Sequence, residues 1–254
     1  MPETARRIDR IDTAPRFTAA DVARLNTRFA GVDTETVLRE VIGEQLLGEL
    51  AVVSSFGTES AVLLDLVARA DPATPVLFLE TGKMFAETLE YRDTLVARLG
   101  LTDLRNITPD PAVIETKDAT GLRWNYDPDG CCEIRKVLPL ARAMKEFNGS
   151  ITGRKAFQAA TRSAIPRFEL DGDRIKFNPL ADWTKADLDA WFEQRDLPRH
   201  PLEAKGYLSI GCAPCTSVVK AGEDPRAGRW RGWDKVECGI HGEPLGDPGN
   251  EPVF

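Results

Sequence analysis

Apolar positions early in the chain recur three and four residues apart, and then give way to short solid runs. Val22, Leu25 and Phe29 share one helical face, and Val37, Leu38, Val41, Ile42 and Leu46 share another. The spacing predicts helices over 18–30 and 34–49. Residues 51–56 (AVVSSF) and 75–80 (PVLFLE) are too short for helices and read as buried strands. Each leads into a helix, one over about 59–70 and one running to about 99. Further strands are predicted over 103–108 and 150–152. A hairpin joins 168–170 to 174–177 around the turn Asp171-Gly172-Asp173. The last predicted helix covers 185–195, with Thr184 as its cap. After residue 197 the chain is punctuated by glycine and proline.

Strands that alternate with helices predict an α/β fold, a mostly parallel sheet with helices on both faces and a loop-rich C-terminal segment. Ligands of such sheets sit at the carboxyl ends of the strands. That brings 54–60 and 80–83 to one rim. The chain has 254 residues, 42% hydrophobic and 29% charged, enough for a sizeable core. No apolar run approaches the roughly 20 residues that cross a bilayer. The N-terminal stretch MPETARRIDRIDTAPRF lacks an apolar signal core, so a cytoplasmic protein is expected, with no membrane partner. A net charge of −7 argues against a nucleic-acid partner.

The candidate chemistry lies in four places. The Ser54-Ser55-Phe56-Gly57-Thr58-Glu59-Ser60 stretch is a small-residue loop between a strand and a helix start. It reads as an anion site at a helix N-terminus or as an ordinary turn, and no Gly-Lys-Ser/Thr follows to make it a Walker loop. The five cysteines divide into Cys131-Cys132, Cys212 with Cys215, and a lone Cys238. That is the arithmetic of a tetrathiolate site plus one reactive thiol. Adjacent cysteines suit the separate iron corners of a cubane better than one tetrahedral ion; zinc and plain buried cysteines stay open. Lys136 falls four residues after Cys132, on the same helical face. Pro139 kinks or ends that helix. Cys238 lies three residues before His241, one of two histidines, and follows Arg226, Arg229, Arg231 and Lys235. That positive charge would favour a thiolate. Trp230 and Trp233 read as anchors. Arg154, Lys155 and Arg162 form a looser basic group after the fourth strand.

In this order, SSFGTES, LFLETGKMFAETLEYRD, CCEIRKVLPL, GYLSIGCAPCT and ECGIHG resemble the assimilatory adenylyl-sulfate reductases of the PAPS/APS reductase family, over about residues 50–242. The resemblance implies an adenine nucleotide alpha-hydrolase-like fold and a [4Fe–4S] cluster on Cys131, Cys132, Cys212 and Cys215. It implies Cys238 as nucleophile, with His241 and Lys136 in the catalytic group. Substrate binding would fall to Ser54, Ser55, Phe56, Gly57 and Ser60, to Thr81, Gly82 and Lys83, to Arg154 and Arg162, and to Arg226 and Arg229. The implied reaction takes adenosine 5′-phosphosulfate to sulfite and AMP, in sulfate assimilation and cysteine biosynthesis. It would pass through a cysteine S-sulfonate that thioredoxin or glutaredoxin resolves. The implied organisation is an arm over 1–17, a domain over 18–222 with the nucleotide and iron–sulfur sites, and a mobile segment over 223–254. Homo-oligomerisation stays open. Lys83 stands where the family commonly has arginine, and Gly153-Arg154-Lys155-Ala156-Phe157-Gln158 departs from a loop that often reads GRRRDQS. The 3′-phosphorylated substrate is therefore the nearest alternative. A pyrophosphatase-loop adenylyltransferase gives no reason for the terminal ECGIH, and an iron–sulfur sensor that binds DNA fits poorly with the acidic charge.

Overall fold

The structure is a computed structural model that describes residues 16–158, 165–235 and 237–240. Helix α1 (Ala19–Arg28) opens with Thr18 and Asp21 in a reciprocal capping box, which satisfies two of the N–H groups that a helix start leaves open. Helix α2 (Thr34–Leu38) runs on as a π turn (Arg39–Gly43). Strand β1 (Leu50–Ser54), helix α3 (Ser60–Ala70), strand β2 (Val76–Leu79), helix α4 (Ala86–Leu99) and strand β3 (Leu104–Ile107) follow in alternation. Next come α5 (Pro111–Lys117), α6 (Pro128–Cys132), a second π turn (Glu133–Val137), and α7 (Leu138–Ala143). The sheet is completed by β4 (Gly149–Thr152), β5 (Phe168–Asp171) and β6 (Arg174–Phe177), before α8 (Lys185–Gln194). Thr184 and Asp187 form the capping box of α8.

The six strands lie in the order β3-β2-β1-β4-β6-β5. Every pairing is parallel except that of β5 with β6, the predicted hairpin. The two faces of the sheet bury alternate residues. Val52, Val76, Phe78, Ile151 and Ile175 enter the core that α3, α4 and α8 cover. Ala51, Leu77 and Leu79 enter a smaller core with Leu140, Met144 and Phe147 on the opposite face. Strand residues buried on both sides read as unbroken apolar runs, which is why β1 and β2 stand out in the sequence. From β1 the chain steps outward to β2 and β3 in one direction and to β4 and β6 in the other. The connections therefore diverge at the carboxyl ends of β1 and β4, where a crevice opens.

One expectation is corrected. The helix predicted over 34–49 stops at Gly43, because Gln45 (φ 50°) and Gly48 (φ 70°) turn left-handed and end the repeat before Leu46 can continue it. The described end of the 1–17 stretch touches the domain. Arg16 donates to the Phe147 carbonyl at 3.1 Å, and Phe17 N–H donates to the Asp173 carbonyl at 3.2 Å. Residues 1–15 lie outside the described residues. No helix of the described residues is long and apolar enough to cross a membrane.

His200 is buried beside the Tyr91 ring, whose centroid is 4.8 Å away. Its Nδ1 accepts from Leu202 N–H at 3.1 Å, which leaves Nε2 as the N–H that faces Thr88 Oγ1, also at 3.1 Å. Burial pushes this imidazole from 6.5 down to about 4. The folded chain thus refuses a proton that the unfolded chain accepts. Stability from His200 is complete above pH 6.5, falls as the pH drops toward 4, and does not change further below that. A shift of this size corresponds to about 3 kcal/mol. Urea unfolding at pH 7.5 and pH 4.5 is expected to show a smaller acid loss in His200→Gln than in the parent. Equal losses in the two proteins would refute the assignment.

Candidate active site

A pocket of about 530 Å³ occupies the crevice. Val53 and Ser54 of β1, Leu79 of β2 and Thr152 of β4 form its floor. The β1 loop supplies one wall, with Ser55, Gly57, Thr58, Glu59 and Ser60. Phe56 holds this loop in shape from below. It takes a left-handed φ of 49° and turns its ring into the core, edge-on to Phe78 with centroids 5.4 Å apart. A residue expected at the substrate is therefore a core residue, and its strained backbone is held by aromatic burial. Ser60 begins α3, so the positive end of that helix faces the pocket. Thr58 Oγ1 ties the loop to the Leu208 carbonyl at 3.2 Å, on the wall formed by Leu208, Ser209, Ile210 and Gly211.

The four paired cysteines line a second, smaller cavity next door. Cys131, Cys132, Cys212 and Cys215 meet there, with Lys83, Trp124, Arg135, Lys136 and Trp230 around them. All four thiols are free, and the first three are buried. Among the described residues no group of three or more His, Cys, Asp or Glu side chains is arranged to hold a metal ion as it stands. The donor set is nevertheless four soft sulfurs around one space, which fits a thiolate-held cluster. Burial raises the Cys131 and Cys215 thiols and pushes Cys132 up to about 11. Cys212 goes the other way. Burial opposes its thiolate, but the Lys136 ammonium and the Thr81 hydroxyl, whose Oγ1 is 3.3 Å from its sulfur, outweigh that cost.

This cavity is braced by a buried ion pair. Arg135 donates through Nη2 and Nε to Asp118 at 2.6 and 3.1 Å, and through Nη1 to the Thr81 carbonyl at 2.8 Å. The Asp118 side chain is fully buried. It also accepts from Arg123 N–H at 2.9 Å. The helix that carries Cys131 and Cys132 is thereby fastened to the loop after β2. That loop contains Thr81, Gly82 and Lys83, which the sequence assigned to substrate. In the structure Lys83 lines the thiol cavity, and its ammonium donates to the Gly121 carbonyl at 2.5 Å.

Lys136 lines both cavities. The π turn over Glu133–Val137, with Pro139 just behind it, adds a residue to the helix and aims the ammonium at the junction. Burial disfavours the charge there, yet the neighbouring sulfurs of Cys212, Cys238 and Cys132 hold its pKa above the ordinary lysine value. Cys238, Arg226 and Arg229 line the same large pocket. Arg229 Nη1 donates to the Ile210 carbonyl at 3.2 Å, and its guanidinium stacks 4.4 Å from the Trp230 ring. Gly211 makes room for it, since a Cβ there would collide with the guanidinium. Arg226 pairs with Glu237 at 3.3 Å. Lys235 pairs with Asp129 on the cysteine helix. Trp230 is the anchor expected of it, whereas Trp233 is 44% exposed and anchors nothing.

Arg154 lines the pocket beside Lys155. Arg162 and His241 lie outside the described residues. Sequence reasoning missed the brace of Asp118 and Arg135. It also missed Lys185 on the pocket wall, and Glu203, whose buried Oε2 finds no donor among the described residues. Only Arg135 had a local signal, its position beside the adjacent cysteines. The others come to the site by long-range folding.

The family described as phosphoadenosine phosphosulfate reductase domain matches residues 49–218. An adenosine 5′-phosphosulfate reductase of Mesorhizobium japonicum is 48% identical, over 93% of this chain and 93% of its own length. A phosphoadenosine 5′-phosphosulfate reductase of Gloeobacter violaceus is 42% identical, over 82% of this chain and 88% of its own. The crystal structure of the phosphoadenylyl-sulfate reductase from Candida auris, a phosphate complex, superposes with a TM-score of 0.67 at 25% identity. That match covers 80% of this chain and 98% of the other. The Candida glabrata FMN adenylyltransferase shares the fold alone, at 13% identity and a TM-score of 0.50 over 76% of this chain and 69% of its own.

The Asp118–Arg135 pair is predicted to be a stability determinant. Asp118→Asn leaves a buried guanidinium without its counter-charge, at a cost of about 3–5 kcal/mol. Urea unfolding is expected to show a lower midpoint at an unchanged slope. A midpoint equal to the parent's would mean that the pair braces nothing.

Proposed function

Because this chain belongs to the phosphoadenosine phosphosulfate reductase domain family, we propose that it reduces adenosine 5′-phosphosulfate to sulfite and AMP in sulfate assimilation. The observation that carries the reading is the meeting of Cys238, Lys136, Arg226 and Arg229 with the β1 loop in one pocket. A helix N-terminus and a small-residue loop suit the 5′-phosphate. The three cations suit a sulfate that a thiolate must approach against like charge.

In the first step the Cys238 thiolate attacks the sulfate sulfur. The bond from that sulfur to the bridging phosphate oxygen breaks, and AMP leaves with the electron pair. Cys238 then carries an S-sulfonate. In the second step a thiolate of a dithiol protein, thioredoxin or glutaredoxin, attacks the Cys238 sulfur and sulfite departs. The second thiol of that protein resolves the mixed disulfide and returns Cys238 to its reduced form. Sulfur gains two electrons overall and the dithiol becomes a disulfide. Lys136, Arg226 and Arg229 neutralise the meeting anions, and His241 is assigned to the same catalytic group. Cys131, Cys132, Cys212 and Cys215 would hold a [4Fe–4S] cluster, which when bound supplies structure and a local charge to which Lys136 responds. The 223–254 segment is assigned the carriage of the nucleophile.

The 3′-phosphorylated substrate is the second reading, favoured by the name of the Gloeobacter violaceus relative. Two measurements test the proposal. With sulfur-labelled adenosine 5′-phosphosulfate and no dithiol protein, the parent is expected to retain label covalently and Cys238→Ser to retain none. Label persisting on Cys238→Ser would remove the nucleophile assignment. Anaerobically purified protein is expected to contain about four iron and four labile sulfide per chain. One zinc with no sulfide would exclude the cluster.

A further inference from the structure

Side chains, more than backbone, hold Cys238 at the pocket. Up to Trp233 the chain that leads to it is fixed by its backbone. Trp230 N–H donates to the Cys215 carbonyl at 3.0 Å, Ser217 N–H to the Gly228 carbonyl at 2.8 Å, and Trp233 N–H to the Trp230 carbonyl at 2.9 Å. Among the described residues of 234–240 no such backbone-to-backbone bond is made. Side chains carry the segment from there. Glu237 pairs with Arg226, and Ile240 packs on the small core with Leu77 and Leu79. Lys235, three residues before Cys238, pairs with Asp129 on α6, the helix that carries Cys131 and Cys132.

The two halves of that pair differ in burial. The Asp129 side chain is 79% exposed and the Lys235 side chain only 6%. An ion pair between two exposed groups would hold little. Here the cation has given up most of its water, and close partners must replace it. The Trp230 ring supplies one part, with its centroid 5.5 Å from the ammonium. The thiol cavity supplies another. Trp230, Cys132 and Cys215 all line that cavity, and the Lys235 charge is near enough to favour the thiolates of both cysteines. Lys235 itself lines neither cavity. It is therefore placed to respond to the charge on the sulfurs without touching a ligand in the large pocket. The coupling is reciprocal: negative sulfurs strengthen the anchor, and a docked anchor favours negative sulfurs.

We propose that Lys235 is a positioning residue that fastens the segment carrying Cys238 to the thiol site, so that presentation of Cys238 to the pocket depends on the metal-bound charge of Cys131, Cys132, Cys212 and Cys215. This rests on the cluster and nucleophile readings above and adds the link between them. Hydrogen exchange read by mass spectrometry follows the anchor in the full, cluster-loaded chain. It compares the peptide that carries Cys238 with control peptides from β1 and β2. Lys235→Gln is expected to speed exchange of the Cys238 peptide about tenfold and to leave the strand peptides unchanged. Lys235→Arg keeps the charge and should stay within about twofold of the parent. Asp129→Asn removes the partner without altering the segment and should speed exchange of the same peptide. Chelating the iron from the parent should free the peptide to the level of Lys235→Gln, and chelating it from that variant should add little. AMP is expected to bind the parent and Lys235→Gln equally by calorimetry, while covalent trapping of label on Cys238 slows about tenfold in the variant. The proposal is overturned if Lys235→Gln exchanges like the parent, if Lys235→Arg exchanges like Lys235→Gln, or if iron removal leaves the parent's peptide protected. A chain loaded with zinc in place of iron would remove the cluster reading, and one that yields no sulfite the reductase reading. In both cases the Lys235→Gln and metal-removal comparisons still decide the anchor.

Discussion

The Lys136 ammonium lies where the thiol cavity meets the large pocket, and each space needs its charge. Cys132, Cys212 and Cys238 approach it from different parts of the chain. A lysine taken out of water on this scale loses hydration that only close negative partners can replace. The arrangement is therefore reciprocal. The sulfurs make the buried ammonium tolerable, and the ammonium makes at least the Cys212 thiolate tolerable against its own burial. Neither half would be stable in its charged form alone. The π turn over Glu133–Val137 and the Asp118–Arg135 pair matter because they put Lys136 at this junction and keep it there.

That dependence explains the layout of the rim. Divergence of the chain between β1 and β4 opens one crevice, and the loops above it divide the chemistry by strand. The loop after β2 supports the thiols. The loop after β1 presents small residues and a helix start. The segment after β4 brings cations matched by carboxylates. Strand order thus sets a thiol, a helix start and a set of paired charges side by side along one crevice.

The sheet was legible in the sequence because buried strands in parallel sheets carry continuous apolar runs, and β1, β2 and the β5–β6 hairpin appear within a residue or two of where those runs place them. The cysteine count separated four thiols from one; in the structure the four meet in the small cavity and Cys238 lines the large pocket, with Cys212 reaching both. Periodicity failed where left-handed residues intervened, as at Gln45 and Gly48. Motif reading places a residue in a loop and does not say where its side chain turns. Phe56 belongs to the loop by position but to the core by its ring, and Lys83 sits in the expected segment but turns to Gly121. Asp118 carried no signal at all, because a lone aspartate in a loop becomes significant only when folding buries it against Arg135.

The same limit applies to charge. Along the chain Arg154, Lys155 and Arg162 read as a basic group suited to phosphate or sulfate. Arg154 and Lys155 meet carboxylates from other elements, Glu169 and Glu59, while Lys185 meets Asp189 four residues on in its own helix. Paired in three dimensions, the patch is close to neutral and offers hydrogen bonding in place of attraction for anions. A substrate phosphate gains from cations whose charge is available and gains little from cations that a weakly hydrated carboxylate already holds.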